Sequence, residues 1–395
     1  MRKNGYLYAR IIYFLKDMAI TINKVTNKKE LKQFIRFNYE LYKNNPYKVP
    51  ELYEDMVDTF TPGKNPALEF CDCECYLALD GNKVVGRVAA IINKRANERW
   101  NEKTVRFGYI DFIDSEEVSQ ALIDAVAKFG KSHGMDKIVG PLGFTDLDPE
   151  GMLIEGFDQL GTMATIYNDP YYPQHMEKMG FVKAKDWVEF KIIVPDKIPE
   201  KMMRIAEVVK QKFGLCVVKI SSRKEIKEKN YGQKIFDLIN EGYKDLFGFV
   251  ALTQAQIDLY VKTYLSLLNL DMITLVETNE GKLVGVGITM GSLSVALQKA
   301  KGKLLPFGWW PLLKALKIKE PEGMDLLLVA VAPEYQNKGA NSLLFADIIP
   351  IAIKKGYKWA ESNPELEDNQ AVQKQWAYFD TKQHKRRRCF TKDIK

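Results

Sequence analysis

No run of about 18 consecutive apolar residues occurs in the 395-residue chain, so no segment reads as a transmembrane helix. Histidine is scarce, with 3 in all, and Cys-x-x-Cys turns are missing. Both absences argue against a metal centre built on nitrogen and sulfur ligands. Cysteines number 5, an odd count, and the apolar run Ile11–Leu15 is too short for a secretory signal. The expectation is a protein of the reducing cytoplasm. Aromatic RNA-stacking motifs and a helix-turn-helix pattern are also lacking, so nucleic acid is not the expected partner.

What is present is globular. Hydrophobic residues make up 46% and charged residues 28%, and the length suffices for two domains with real cores. The net charge of +7 favours an anionic partner without choosing among them. Cys71, Cys73 and Cys75 alternate along FCDCECYLAL, which places them on one face of a buried strand. Met18 begins a good first strand, AITINKV, and residues 1–17 read as a leader or tail outside the fold. Asn27 to Glu30 opens a helix in the manner of a capping box, continuing to Tyr42.

The stretch Met324–Tyr357 reads as strand, polar turn and helix. Asp325 to Val331 is an apolar β run, Ala332–Tyr335 breaks it, and Gln336–Asn341 is a turn. An apolar helix then spans Ser342–Lys354, with Gly356 as its stop. A glycine turn at the mouth of a helix exposes unpaired N–H groups at the positive end of the dipole and can hold a phosphate.

The plan is repeated. Tyr76–Leu79, a turn, and Val84–Ile92 form a hairpin matched by Thr274–Thr278 and Leu283–Met290, with Val85-Gly86 aligned on Val284-Gly285. Phe107–Ile113 followed by a helix to Gly134 parallels Leu326–Val331 followed by a helix to Gly356. Only the second copy has glycine in its loop. The first carries Asp114-Ser115-Glu116-Glu117, which would repel a pyrophosphate. The second copy also has an insert, 292–322, in which Phe307, Trp309 and Trp310 alternate with lysines. That composition suits an anionic membrane surface, although a segment packed on its own domain would look similar. The basic run Lys382–Arg388 is read as a patch for anionic membrane or phosphate.

Val329-Ala330-Val331-Ala332-Pro333-Glu334-Tyr335 with Gln336, Gly339 and Ala340 resembles the coenzyme A site of the GNAT acyltransferase superfamily, with Asn341 where the last small residue is expected. The phrases Val85-Gly86-Arg87, Gly140-Pro141, Tyr167-Asn168, Pro170-Tyr171-Tyr172 and Glu367-Asp368-Asn369 resemble a narrower group, the tandem-GNAT bacterial proteins that include bacterial ceramide synthases. The resemblance implies an α/β fold with mixed sheets in two tandem GNAT-like domains, 18–195 on the acceptor side and 200–395 binding acyl-CoA. It implies long-chain acyl transfer from acyl-CoA to a lipid amine such as a sphingoid base, at a peripheral site on the inner membrane. Val329, Val331, Gln336, Lys338, Gly339, Ala340 and Asn341 would hold the acyl-CoA. Glu361, with Glu365 and Glu367 as alternatives, would take the amine's proton. Asn369 would start a last helix, Gln370–Phe379, on which Tyr378 would protonate the thiolate. Trp376 stands where the family's usual Tyr falls. Asp146, Asp148, Tyr167, Asn168, Tyr171, Tyr172 and His175 would face the acceptor, and Glu150 completes an acidic loop with the two aspartates. Two other readings stay open, an N-acetyltransferase of small-molecule or peptide amines and an acyl-CoA-binding protein without turnover.

Overall fold

Alternating apolar residues build strands whose two faces are both covered, and those strands join into one sheet. The computed structural model describes residues 20–265 and 268–394. The expected leader, 1–17, lies outside the described residues. Fourteen strands are present among them: β1 Thr21–Lys24, β2 Cys71–Asp80, β3 Lys83–Asn93, β4 Thr104–Phe112, β5 Lys137–Gly140, β6 Met152–Glu155, β7 Val182–Ile193, β8 Leu215–Val218, β9 Ile273–Thr278, β10 Leu283–Gly291, β11 Gly323–Val331, β12 Trp359–Ser362, β13 Glu365–Leu366 and β14 Thr381–Asp393. The order is β1-β2-β3-β4-β5-β14-β7-β12-β11-β10-β9-β8, with β6 beside β14 and β13 beside β7.

The repeat is visible in this order. Each half contributes a meander and then a strand parallel to its last member: β4 with β5, β11 with β12. Both parallel pairs are short. β4 meets β5 only over Thr104–Arg106, and β11 meets β12 only over Gly323–Leu326, after which the strands splay. At the midline the halves cross. β14, the end of the chain, lies between β5 and β7, and β7 lies between β14 and β12. Ten residue pairs, from Thr381 with Ile192 to Thr391 with Val182, lock β14 to β7.

Helices cover the sheet. Glu116–Ser132 buries Val118, Leu122, Ile123, Val126 and Phe129, the stripe a 3.6-residue period places on one side. It sits so close to β3 that a Cβ on Gly86 would come within 2.8 Å of Leu122 and 2.9 Å of Val118. Glycine there is a packing requirement. The helix Asn341–Lys355 buries Leu343, Leu344, Ile348, Ile349 and Ala352 in the second half and ends at Gly356 in left-handed conformation. Asn27 caps the helix Lys28–Leu41 through the N–H groups of Lys29 and Glu30. The reciprocal bond differs from a capping box: Glu30 accepts from Thr26 N–H at 2.7 Å, one residue further out.

The basic run is not a surface patch. Lys385 and Arg387 are each 1% exposed within β14. Lys385 is paired with Glu361 and Glu189, and Arg387 with Glu189. On the other face Arg386 and Arg388 share Asp186 at 3.0 and 2.8 Å. Every one of those carboxylates lies at least 19 residues away in sequence, which is why the run looked unpaired.

Candidate functional site: the splayed strands and the cavity between the halves

The splay of β11 from β12 leaves one edge of β11 without a strand partner. Ala332 N–H donates to Val284 O on β10 at 2.8 Å, so Ala332, Ala330 and Leu328 face β10. Leu327, Val329 and Val331 therefore face the open side. Their carbonyls are taken by side chains: Asn363 donates to Leu327 O, Tyr243 to Val329 O at 2.7 Å, and Gln336 to Val331 O at 2.9 Å. What the edge still offers is N–H groups, the donors a thioester or amide carbonyl needs. Val329 is 41% exposed there.

The loop beyond β11 places left-handed backbone at Asn337 (φ 58°) and Gly339 (φ 83°). Ser342 Oγ donates to Gly339 O at 2.7 Å, closing the turn onto the helix start. The helix begins at Asn341, so the expected loop residue is the first helical one, and the next two N–H groups turn back into the loop, Ser342 N–H to Gly339 O at 2.9 Å and Leu343 N–H to Ala340 O at 3.1 Å. Ala340 is buried beneath the loop, and Lys338 extends over the rings of Phe213 and Tyr335 at 5.6 and 6.0 Å.

The corresponding edge in the first half is closed. Leu142 N–H donates to Phe107 O at 3.0 Å, and Tyr171 Oη donates to Phe112 O. Phe112 N–H donates to Tyr172 Oη at 3.1 Å. A Cβ at Gly108 would come within 2.3 Å of Leu142 O, so the loop after β5 lies directly against β4. Only the second half keeps room beside its central strand.

That room opens into a cavity of about 1610 Å³ spanning both halves. Its wall includes Val329, Val331, Gln336, Gly339 and Asn341 from the loop, Asn369 and Tyr378 from the C-terminal segment, and Asp146, Asp148, Asn168 and Tyr172 from the first half. Six expected site residues are elsewhere. Lys338 and Ala340 flank the loop without lining the cavity. Tyr167 donates to Phe157 O, and Tyr171 is spent on Phe112. His175 is buried between Ser119 Oγ at 2.9 Å and Asp114 at 3.0 Å. Glu361 is enclosed with Lys385 and His384; burial works to raise its pKa, but the bonds from those two residues overcome it and hold the pKa low. The last helix is also shorter than expected. Gln370–Gln373 is α-helical and Lys374–Tyr378 winds as 3₁₀. Trp376 is buried and donates through Nε1 to Glu365 at 2.9 and 3.1 Å.

Several carboxylates line the cavity, and two sites among them stand out, Glu365 and the loop Asp146–Glu150. Burial pushes Glu365 up to about 7, and the Trp376 bond only partly opposes it. Asp146 is also raised to about 7 by burial, with Arg106 pulling it down and Asp148 pushing it up. Glu150 is raised well above the carboxylate range by burial and by Asp146. Arg106 donates to Gly143 O at 3.0 Å and is the counter-charge beneath this loop. The cavity's upper wall comes from the insert: Leu297, Leu304, Trp309 and Leu312 face inward, while Leu305 (79% exposed), Phe307 (78%) and Trp310 face out. The insert reaches the first half through Gln298 Nε2, which donates to Pro46 O at 2.8 Å. No group of three His, Cys, Asp or Glu among the described residues is placed to hold a metal ion. Arg87, from the phrase Val85-Gly86-Arg87, and Asn38, Asp111, Tyr243 and Asn363, which carried no local motif, also line the cavity.

No family model matches the chain. Among solved structures it is similar to the tandem GNAT protein from the clavulanic acid biosynthesis pathway, with a TM-score of 0.53 at 13% identity over 95% of this chain and 99% of that one. A probable N-acyltransferase from Enterococcus faecalis gives 0.50 at 11% identity, over 95% of this chain and 73% of that one. The fold is that of the tandem GNAT proteins. Its curated relatives are a bacterial ceramide synthase of Caulobacter vibrioides, 26% identical over 362 residues that cover 89% of this chain and 92% of that one, and Protein YghO of Escherichia coli, 29% identical over 315 residues and 78% of each.

Proposed function

We propose that the protein transfers a long-chain acyl group from acyl-CoA to the primary amine of a lipid, as the name of its Caulobacter relative describes for that protein. The observation that carries this reading is the cavity. At about 1610 Å³ it exceeds the roughly 300–1,000 Å³ of ordinary small-molecule pockets and is walled mainly by apolar side chains. Acetyl transfer to a small polar amine needs no such space; an acyl chain and an aliphatic acceptor together do.

In this reading the C-terminal unit, 200–395, takes the acyl-CoA, with its pyrophosphate at Gln336–Asn341 and its thioester carbonyl against the N–H groups of Val329 and Val331. The N-terminal unit, 18–195, takes the acceptor. The ammonium is drawn to Asp146 and Asp148, whose carboxyls burial holds up and which ionise more readily as the cation arrives. Glu365 accepts one of its protons, because it opens on the cavity and titrates near neutrality, whereas Glu361 is already paired. The neutral amine attacks the carbonyl carbon, a C–N bond forms, the nitrogen gives up its second proton to solvent, the C–S bond breaks, and the thiolate leaves with a proton from Tyr378 or solvent. The exposed Leu305, Phe307 and Trp310 with the neighbouring lysines seat the insert on an anionic membrane surface, from which both aliphatic chains enter.

The test supplies palmitoyl-CoA or acetyl-CoA, each with sphinganine or with a small polar amine, and reads free thiol and amide product by mass spectrometry. Amide from palmitoyl-CoA is expected. Turnover confined to acetyl-CoA and a polar amine would overturn the reading.

A further inference from the structure

The carbonyl of Val329 is capped by a hydroxyl that comes from outside the strand and its loop. Tyr243 closes the helix Tyr231–Gly242, and its Oη donates to Val329 O at 2.7 Å. The helix end lies directly on the open edge of β11, since a Cβ at Gly242 would come within 3.4 Å of Val331 O. The ring of Tyr243 packs edge-on against Phe249, with centroids 5.8 Å apart. Tyr243 and Val329 both line the cavity, and both keep part of their surface open to it.

Where that proton goes decides what Tyr243 shows to the cavity. A phenol has one O–H to give and lone pairs with which to accept. The proton is given to Val329 O. Burial, with the charge of Asp146 added, pushes the hydroxyl's pKa well above the ordinary tyrosine value and keeps the proton in place. What remains for a ligand is a lone pair. It stands on the same side of β11 as the Val329 N–H, because the N–H and C=O of one strand residue point the same way. Along the edge the two groups are separated by about one strand rise, roughly 3.3 Å.

The same segment meets the first half. A Cβ at Gly248, in the loop after Tyr243, would lie 3.8 Å from Asp146 Oδ1. Tyr243 thus joins the edge that takes the thioester to the carboxyls that draw the amine. Tyr378 is placed differently. Its ring is 37% exposed and lies beneath Lys201 of the helix Glu200–Phe213, at 5.2 Å.

We infer that Tyr243 Oη accepts an N–H of the attacking amine and so turns the nitrogen lone pair toward the thioester carbon. The inference rests on the reading that acyl-CoA lies along this edge; it does not depend on the length of the acyl chain. No covalent bond to Tyr243 changes, and the amine's protons leave as already described. Misplacing a nucleophile by about 1 Å is enough to cost about 10²-fold in rate.

The test is Tyr243→Phe, which removes the hydroxyl and keeps the ring against Phe249. Calorimetry gives the Kd for palmitoyl-CoA. Amide formation from palmitoyl-CoA and sphinganine gives kcat and KM, and thiol release without amine gives hydrolysis. The variant should lower kcat for amide formation by about 10²-fold. Its Kd for palmitoyl-CoA and its rate of hydrolysis should stay at the wild-type level. An unchanged kcat would overturn the inference. So would an equal loss in hydrolysis, or a weaker Kd that accounts for the loss, since either would assign the hydroxyl to holding the thioester. The two readings fail separately. If only acetyl-CoA and a polar amine turn over, the long-chain reading falls, and the same comparison on that pair still decides the role of Tyr243. If no amine is acylated by either donor, both fall.

Discussion

Arg387 and Glu189 lie 198 residues apart in sequence and form an ion pair that is sealed from water, at 1% and 0% side-chain exposure. The pair belongs to a ladder running from Glu361 through Lys385 and Glu189 to Arg387 across the three strands at the midline. Such a ladder contributes little net energy compared with apolar packing, but removing one rung leaves a bare charge in a dry interior. Lys385→Met should therefore cost about 3–5 kcal/mol, read as a lower urea midpoint. The exposed pair of Lys24 and Glu74 is the control, and Lys24→Met should cost less than about 1 kcal/mol. Similar losses from both would mean that the ladder is solvated.

Asp325 neighbours this ladder, paired across β11 and β12 with Glu361. Burial raises it from 3.8 to about 7, with Glu361 adding to the rise. Between those values the folded chain holds a proton the unfolded chain has lost. Its contribution to stability is thus complete below about pH 4 and disappears as pH rises through about 7. Asp325→Asn should flatten the fall in melting temperature between pH 5 and pH 8. An unchanged slope would show that Asp325 is not the group responsible.

Glu365 and Glu361 make a matched pair for locating the base. Glu365→Gln should lower kcat by about 10²-fold or more and abolish the rise in rate through about pH 7. Glu361→Gln should leave that pH profile in place and act on stability, since it empties a rung of the ladder. The reverse assignment would follow if the profile vanished with Glu361→Gln.

Gly339 combines positive φ with close neighbours. An added Cβ would sit 3.1 Å from Val209 and 3.3 Å from Ile205, on top of about 1–2 kcal/mol for the left-handed backbone. Gly339→Ala should raise the Kd for acyl-CoA by about tenfold, a change of about 1.4 kcal/mol. Amine binding in the first half should be unaffected, which separates loop damage from general unfolding.

The outward face of the insert is tested apart from catalysis. Phe307→Asp with Trp310→Asp should abolish co-sedimentation with vesicles containing phosphatidylserine, and raised salt should weaken the wild-type interaction. Retained binding by the double variant would move the membrane contact away from the insert, and a wild type that fails to co-sediment would remove the membrane from the proposal.

How much of this was legible in sequence follows from how far each signal reaches. The strand, loop and helix around Gln336–Asn341 could be read because each residue acts on its neighbours: period-two alternation, a glycine turn, then period 3.6. The repeat could be read because both copies carry the same local phrases. The identity of β14 could not. Its lysines and arginines look solvated until Glu189, Glu361 and Asp186 arrive from other strands. The same distance hid the difference between Glu361 and Glu365, four residues apart, because what separates them is Lys385 and His384 on one side and Trp376 on the other.

The crossing of β14 between β5 and β7 also sets a timetable for synthesis. The first half emerges from the ribosome with one flank of β5 bare, and the strand that covers it, β14, begins only at Thr381, about 240 residues after Gly140. The N-terminal unit therefore waits, unfinished, through the translation of roughly two hundred further residues, and a chain cut before Thr381 would leave both halves open at the same seam.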